Sequence, residues 1–224
     1  MKGYPHPQPL SQREGSFFKA DTLTLRYSYT LFAPVYDALV APFTNAMRRC
    51  SLAALHEESP ADVLLVGVGS GLDLPLLPRG PRYTGLDLTP AMLARARRKA
   101  AAAKLEIRLD VGDARRLPYG DAQFDAVVLH LILAVTPHPE RVLAEAVRVL
   151  RGGGRILVLD KFLRPGQAAP LRRLVSPLLG LLATRTDMVF EQVLAQVLGL
   201  EVVSDRPALA GGWFRRIVLR KGGV

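Results

Sequence analysis

Residues 63–71 read VLLVGVGSG, a short apolar run that ends in three glycines spaced two residues apart. Such a run predicts a buried strand that breaks into a nucleotide-binding turn. Glycine allows φ > 0 and removes the Cβ atoms that would hold a flat nucleoside away from the main chain. Because Gly-x-Gly-x-Gly also occurs in ordinary turns, the segments that follow must decide what this turn binds.

The segments after the glycine turn repeat a strand and helix pattern. A second strand ends at Asp87, and Thr89-Pro90 opens a helix. In a βαβ unit, an acidic residue at that strand end accepts hydrogen bonds from ribose hydroxyls. A third strand near 105–111 leads into Gly112-Asp113-Ala114, and a fourth, 124–130, ends in a histidine. Together these segments favour a nucleoside cofactor.

Strands and helices alternate along most of the chain. The predicted strands are 62–67, 82–87, 105–110, 123–129, 155–161, 201–206 and 213–220, and the predicted helices are 34–58, about 72–77, 90–103, 139–150 and a helical region 168–199. This alternation predicts an α/β fold with a doubly wound, mostly parallel sheet of seven strands. Gly211-Gly212 between the last two strands suits a hairpin that makes the last strand antiparallel.

In order and spacing, residues 60–160 resemble the class I S-adenosylmethionine-dependent methyltransferases. The resemblance includes the glycine turn, Gly85-Leu86-Asp87, Gly112-Asp113-Ala114, Phe124 to Val128 and Pro139 to Gly154. Two further segments, Phe32 to Phe43 and Leu131 to Pro139, are similar to bacterial phosphatidylethanolamine N-methyltransferases and ubiquinone/menaquinone C-methyltransferases. The resemblance implies a Rossmann-like methyltransferase fold, S-adenosyl-L-methionine as cofactor and no requirement for a metal.

The resemblance also implies which residues bind the cofactor. They are Gly67, Val68, Gly69, Ser70, Gly71, Asp73, Asp87, Leu88, Asp113, Ala114 and His130. Asp87 would bind the ribose hydroxyls, and Asp113 with the Ala114 amide would contact the adenine edge. The alternative for both aspartates is that they are solvated loop carboxylates.

Leu65 departs from the family pattern. The family usually has an acidic residue at this position, two before the first glycine, where it helps to hold the cationic amino group of the cofactor. Its absence removes a charge-assisted hydrogen bond worth about 1.5–3 kcal/mol. Asp73 is our hypothesis for a compensating carboxylate, and capping of the next helical turn is the equally weighted alternative. Leu65 also leaves open a protein that binds the cofactor without methylating.

His130 and Tyr36 are the candidate catalytic residues. A general base is needed only if the methyl acceptor arrives protonated. A neutral His130 imidazole at the end of the fourth strand could take a proton or orient an amine, while a hydrogen bond to nearby backbone is the alternative. Tyr36 could line the acceptor pocket from an N-terminal lid, together with Tyr27, Tyr29 and Asp37, although it also fits a core position.

The composition predicts one domain behind an extension. A chain of 224 residues that is 49% hydrophobic suits a single α/β domain, and it has no apolar run of about 18 residues. Residues 1–20 predict a disordered extension, because their composition cannot bury enough apolar surface. Residues 21–224 then form the methyltransferase domain, with a helical lid at 21–58 and a helical insertion at 165–199. The single cysteine excludes an internal disulfide and suits a reducing cytoplasm.

The net charge of +10 indicates a polyanionic partner. Residues 164–185 have an apolar body bracketed by arginines, which suits an anionic membrane surface, with a lid helix over the acceptor pocket as the alternative. Nucleic acid is not expected, because the recognition motifs are missing. The sequence favours a lipid acceptor, above all the amine of phosphatidylethanolamine, with peripheral attachment to the inner membrane. A prenylated quinol methylated at carbon and a soluble small molecule remain the alternatives, and the oligomeric state is not indicated.

Overall fold

The computed structural model describes residues 44–57, 59–166, 188–209 and 212–223. Within these ranges the strands are β1 (Asp62–Val66), β2 (Arg82–Asp87), β3 (Ile107–Val111), β4 (Phe124–His130), β5 (Leu150–Lys161), β6 (Leu200–Leu209) and β7 (Phe214–Lys221). The α-helices are α1 (44–57), α2 (Pro90–Ala102), α3 (Pro139–Val149) and α4 (Phe190–Leu194). The part of the chain that the structure describes has no helix long and apolar enough to cross a membrane.

The seven strands form one sheet in the order β3-β2-β1-β4-β5-β7-β6. β1 to β5 run parallel to one another, and β7 runs antiparallel to both β5 and β6. The predicted fold class is therefore confirmed. The strand order reverses between β1 and β4, and in open α/β sheets ligands bind in the crevice outside the carboxyl ends of the strands at such a switch point. The glycine turn after β1 and His130 at the end of β4 both lie there.

Both faces of the sheet are covered, so β1 is buried on both sides. Leu64 and Val66 belong to one apolar layer, together with residues of α3. Leu65 belongs to the opposite layer, with Leu52 of α1 and Leu93 of α2, and only 2% of its surface is exposed. A carboxylate at position 65 would have to lose its water here, so leucine suits this packing layer.

Two predicted elements differ from the structure. In place of the helix at 72–77, the chain forms a 3-10 turn over Leu74–Leu76 and leaves it in extended geometry at Leu77. Pro75 lacks the N–H that a longer helix would use, which accounts for the short turn. β5 starts at Leu150 rather than 155, because Leu150 already pairs with Phe124 before the ladder becomes irregular.

Several predicted features lie outside the described residues. These are the extension at 1–20, most of the lid at 21–58 including Tyr27, Tyr29, Tyr36 and Asp37, and residues 167–187 of the predicted insertion. The lid is represented by α1, and the insertion by its ends, where α4 is a single short helix.

Candidate active site

The glycine turn makes a tight passage from β1 towards α2. Gly67, Gly69 and Gly71 have φ angles of 69°, 54° and 82°. A Cβ on Gly71 would lie 2.9 Å from the Ala96 Cα of α2, so this glycine permits close packing of the turn on the helix. A Cβ on Gly69 would have only the Gly67 carbonyl oxygen nearby, at 3.9 Å. The main chain at Gly69 is therefore open to a flat ligand.

Asp87 at the end of β2 clamps this turn. Gly69 N donates to Asp87 Oδ2 at 2.8 Å, and Thr89 N donates to Oδ1 at 2.9 Å. Burial raises the pKa of Asp87, and the two backbone donors partly offset that effect. The solvated-loop alternative is therefore wrong for Asp87. Each carboxylate oxygen can accept a further hydrogen bond, as ribose hydroxyls would require.

Three other expected cofactor residues lie around the turn. Val68 and Ser70 are buried, and the Ser70 hydroxyl lies 3.2 Å from Lys99 Nζ of α2. Leu88 is half-buried between Asp87 and the start of α2. The turn, the end of β2 and α2 thus form one connected surface.

Asp113 follows β3 and is held by an arginine. Arg115 Nη2 donates to Asp113 Oδ2 at 2.7 Å, Arg115 Nε donates to Oδ1 at 3.0 Å, and the Arg115 backbone N also donates to Oδ1, at 2.9 Å. Partial burial raises the pKa of Asp113, but Arg115 outweighs it and holds the pKa below its ordinary value. Asp113 is thus an oriented, ionised acceptor beside the half-buried Ala114, not a freely solvated carboxylate.

A buried polar network joins α1, the glycine turn and β4. Arg48 Nη1 lies 2.9 Å from Asp73 Oδ1, and His130 Nδ1 lies 3.0 Å from the same oxygen. His130 Nε2 lies 3.0 Å from the Ser51 hydroxyl. All four residues are at most 5% exposed. A hydrogen bond to nearby backbone, the alternative for His130, is wrong, because both of its ring nitrogens contact side chains. Helix capping, the alternative for Asp73, is also wrong, because its side chain makes no capping hydrogen bond.

The charges in this network fix proton positions. Burial alone would raise the pKa of Asp73, but His130 and Arg48 together hold it well below its ordinary range. Because an ionised Asp73 only accepts hydrogen bonds, the His130 Nδ1 proton is assigned to that contact. In neutral His130, Nε2 then accepts from Ser51. His130 can act as a base at Nε2 if an acceptor group takes the place of the Ser51 hydroxyl.

The loop after β4 is held rigidly beside His130. Leu131 has a φ of 57°, an uncommon conformation for a non-glycine residue, and its N–H donates to Leu159 O at 2.8 Å. The fully buried Asp160 accepts from Ala134 N at 2.9 Å, and burial raises the pKa of this carboxyl. Residues in strained backbone conformations cluster at functional sites, because only a well-packed surrounding can hold them.

The structure therefore brings most of the predicted residues to one edge of the sheet. The glycine turn, Asp73, Asp87 and His130 lie at the carboxyl ends of β1, β2 and β4. Sequence reasoning missed Arg48, Ser51 and Arg115. Arg48 and Ser51 are three residues apart on a predicted helix, a spacing that places both on one face, and this was the available signal.

The chemistry of this edge fits a nucleoside cofactor. The open backbone at Gly69 admits a flat group. The Asp87 carboxylate, which accepts a hydrogen bond from Gly69 N, can accept further hydrogen bonds from a ligand. The described residues contain no group of three or more side chains that could hold a metal ion.

Sequence comparison matches this chain to methyltransferases. A family model described as a methyltransferase domain matches residues 64–158. A phosphatidylethanolamine N-methyltransferase from Cereibacter sphaeroides is 37% identical over 190 residues, covering 84% of this chain and 92% of that relative. A demethylmenaquinone methyltransferase from Deinococcus radiodurans is 39% identical over 139 residues, covering 59% of this chain and 58% of that relative.

Solved structures share the fold. A protein from Thermotoga maritima, described as an S-adenosylmethionine-dependent methyltransferase, superposes with a TM-score of 0.66 at 21% identity. The superposition covers 87% of this chain and 99% of that structure. At this identity the likeness concerns the fold alone, while the relative from C. sphaeroides is similar over nearly its whole length.

Proposed function

The chain belongs to the S-adenosylmethionine-dependent methyltransferases, and from that premise we propose that it methylates a phospholipid amine, with phosphatidylethanolamine as the leading acceptor. The observation that carries this proposal is the 37% identity to a phosphatidylethanolamine N-methyltransferase over 92% of that relative's length. The 190 matched residues extend well beyond residues 64–158, which match the methyltransferase-domain model.

The cofactor supplies a methyl group on a sulfonium, which is electrophilic enough for direct displacement, so the protein mainly aligns the reactants and excludes water. In our proposal the turn at Gly67 to Gly71 and the Asp87 carboxylate hold its nucleoside. Asp113 and Ala114 contact the base edge. These residues therefore determine binding and orientation rather than proton transfer.

The amine acceptor requires a proton to be removed. A primary amine arrives mostly as ammonium, and it must lose a proton before its nitrogen lone pair can form the new N–C bond while the S–C bond breaks. We propose that His130 Nε2 accepts that proton and that Asp73, bonded at Nδ1, stabilises the resulting imidazolium. Tyr36 stays a proposed lining residue from outside the described part of the chain.

The proposed acceptor lies in a membrane, and the basic charge of the protein supports attachment to an anionic surface. The net charge is +10. Segment 164–185, with an apolar body between arginines, is the proposed contact, and most of it lies outside the described residues. Such a segment would place leucines at the acyl boundary and arginines at lipid phosphates.

A direct assay tests the acceptor. The full chain is incubated with methyl-labelled cofactor and anionic vesicles that contain phosphatidylethanolamine, and matched vesicles carry phosphatidylcholine in its place. We expect label in the methylated lipid of the first set only. In a separate incubation with a whole-cell extract, label that enters only aqueous metabolites would contradict the lipid assignment.

A prenylated quinol methylated at carbon is the second candidate. It is supported by the 39% identity to a demethylmenaquinone methyltransferase, over 59% of this chain. The same vesicles loaded with demethylmenaquinol decide between the two, because label would then enter the quinol and leave phosphatidylethanolamine unlabelled.

A further inference from the structure

Two buried charged side chains beside the glycine turn keep hydrogen-bonding capacity that no described residue uses. Arg48 contacts Thr44 through Nε at 3.3 Å and Asp73 through Nη1 at 2.9 Å. Within the described residues, Arg48 Nη2 donates no hydrogen bond. Each of the side chains of Arg48 and Asp73 is only 7% exposed, so bulk water does not readily satisfy them.

Asp73 shows the complementary deficit. Its Oδ1 contacts both partners, lying 2.9 Å from Arg48 Nη1 and 3.0 Å from His130 Nδ1. Its Oδ2 accepts no hydrogen bond from the described residues, and the side chain makes no capping hydrogen bond to the 3-10 turn that follows it. Leaving a buried polar group unpaired is costly, more so for a charged group, and native structures rarely do so without a reason.

An unused donor on a cation and an unused acceptor on a neighbouring anion match a ligand that carries both charges. We propose that Arg48 and Asp73 form a clamp for the zwitterionic α-amino acid end of the cofactor, with Arg48 binding the carboxylate and Asp73 Oδ2 binding the ammonium. The clamp lies where such a ligand would need it, because Asp73 follows Gly71 by two residues and its partner His130 ends β4.

The clamp also accounts for Leu65. Leu65 is buried in the apolar layer that β1 shares with α1 and α2, so β1 offers no carboxylate at this position. Asp73, which follows the glycine turn in sequence, supplies a carboxylate instead, and Arg48 of α1 pairs with that buried charge. The inference deepens the proposed function but rests on it only through the cofactor, whichever acceptor is used.

Calorimetry with three probes tests each half of the clamp. S-adenosylhomocysteine carries both charges, decarboxylated S-adenosylmethionine keeps only the ammonium on its side chain, and 5′-methylthioadenosine has neither. For Arg48→Gln we expect S-adenosylhomocysteine to bind roughly ten- to a hundredfold more weakly, while the other two bind within about twofold of wild type. For Asp73→Asn we expect decarboxylated S-adenosylmethionine to weaken roughly tenfold, and methylthioadenosine to be unchanged.

Matched controls separate the clamp from a structural role. Arg49→Gln removes an exposed arginine from the next position of α1 and should leave all three affinities unchanged. If Arg48→Gln does not fold, Arg48→Lys serves instead, and the ratio of S-adenosylhomocysteine to methylthioadenosine affinity should still fall. Equal weakening of all three probes would overturn the proposal, because Arg48 would then only hold the fold.

The anion bound by Arg48 could also come from the acceptor's phosphate. In that case Arg48→Gln would leave the affinity for S-adenosylhomocysteine unchanged and raise only the KM for phosphatidylethanolamine vesicles. That result would overturn the zwitterion clamp, whereas failure of the lipid assay with an intact probe pattern would overturn only the proposed acceptor.

Discussion

At the residue scale, Asp87 combines a structural and a binding task. Its two oxygens accept the Gly69 and Thr89 backbone amides, so it holds the glycine turn while retaining acceptor capacity. Charge matters for both tasks, because hydrogen bonds to an ionised acceptor are about twice as strong as neutral ones.

Asp87→Asn tests this dual role. The amide keeps one acceptor oxygen but loses the charge, so we expect affinity for S-adenosylhomocysteine to fall roughly tenfold or more, corresponding to about 1.5–3 kcal/mol. Isothermal titration calorimetry measures it. Glu106→Gln, which changes an exposed carboxylate just before β3, is the control, and equal affinities of the two variants would refute the role of Asp87.

Two of the three glycines of the turn, Gly69 and Gly71, should respond differently to alanine. Gly71→Ala places a Cβ against the α2 backbone at positive φ, and we expect it to lower the free energy of unfolding by about 2–4 kcal/mol. Gly69→Ala meets open space, so we expect only about 1–2 kcal/mol from its positive φ, together with weaker cofactor binding. Urea unfolding checks both, and a larger loss at Gly69 would contradict the packing argument.

The stabilising effect of Asp73 should depend on pH. Its pKa is lower in the folded protein than in the unfolded chain, so its stabilising contribution is present above the unfolded pKa and is lost as pH falls towards the folded value. We expect Asp73→Asn to be less stable than wild type at neutral pH, and the difference to shrink below about pH 4. Urea titrations across this range measure it; a difference that stays constant with pH would be inconsistent with an ionised Asp73.

At the element scale, α1 is part of the site rather than a loosely placed lid. Leu52 and Leu55 are buried in the same apolar layer as Leu65 of β1, and Arg216 of β7 donates to Cys50 O at 2.7 Å. Ser51 and Arg48 add the polar contacts to β4 and to the glycine turn. Any movement of α1 would therefore disturb both His130 and Asp73.

Ser51→Ala tests that attachment. It leaves His130 Nε2 without its buried partner, and we expect a loss of about 1–3 kcal/mol in the free energy of unfolding. Chemical denaturation measures the change. Ala53→Ser on the exposed side of the same helix measures helix propensity alone and should cost only about 0.5 kcal/mol. Because alanine is the better helix former, propensity would favour Ser51→Ala, so an unchanged or higher stability of that variant would contradict the importance of the His130 contact.

At the scale of the whole molecule, a second buried charge holds the end of the sheet. Arg215 of β7 is 1% exposed and lies 2.6 Å from both Glu191 of α4 and Asp205 of β6. It also donates to Leu163 O at 3.2 Å, just after β5. One guanidinium thus joins the antiparallel edge of the sheet to α4, far from the glycine turn in sequence.

Arg215→Met should weaken the whole domain. Removing one partner of a buried ion pair typically costs 3–5 kcal/mol, and we expect about 3 kcal/mol because both carboxylates keep some contact with water. Thermal and urea unfolding measure the loss. Arg220→Met on the exposed side of β7 is the control, and equal stabilities would mean that the ion pairs contribute little.

The sequence by itself determined the fold class and the residues around the nucleoside site. The period of apolar residues and the position of glycines depend on local backbone geometry, which is why the sequence correctly predicts β2 at 82–87 and the start of α2 at Thr89-Pro90. The 3-10 turn at Leu74–Leu76 was less accessible, because a single turn has too few residues for a period to show.

Only the tertiary structure decided the partners of the buried charges. Ser51 and His130 are separated by 79 residues, and Asp73 and His130 by 57. No local pattern encodes such a pair, since it depends on how α1 packs against the carboxyl ends of β1 and β4. The sequence could therefore identify Asp73 as a candidate, while its pairing with Arg48 follows from long-range packing. A buried charge is stable only when an opposite charge lies next to it, and tertiary structure decides which residue that is.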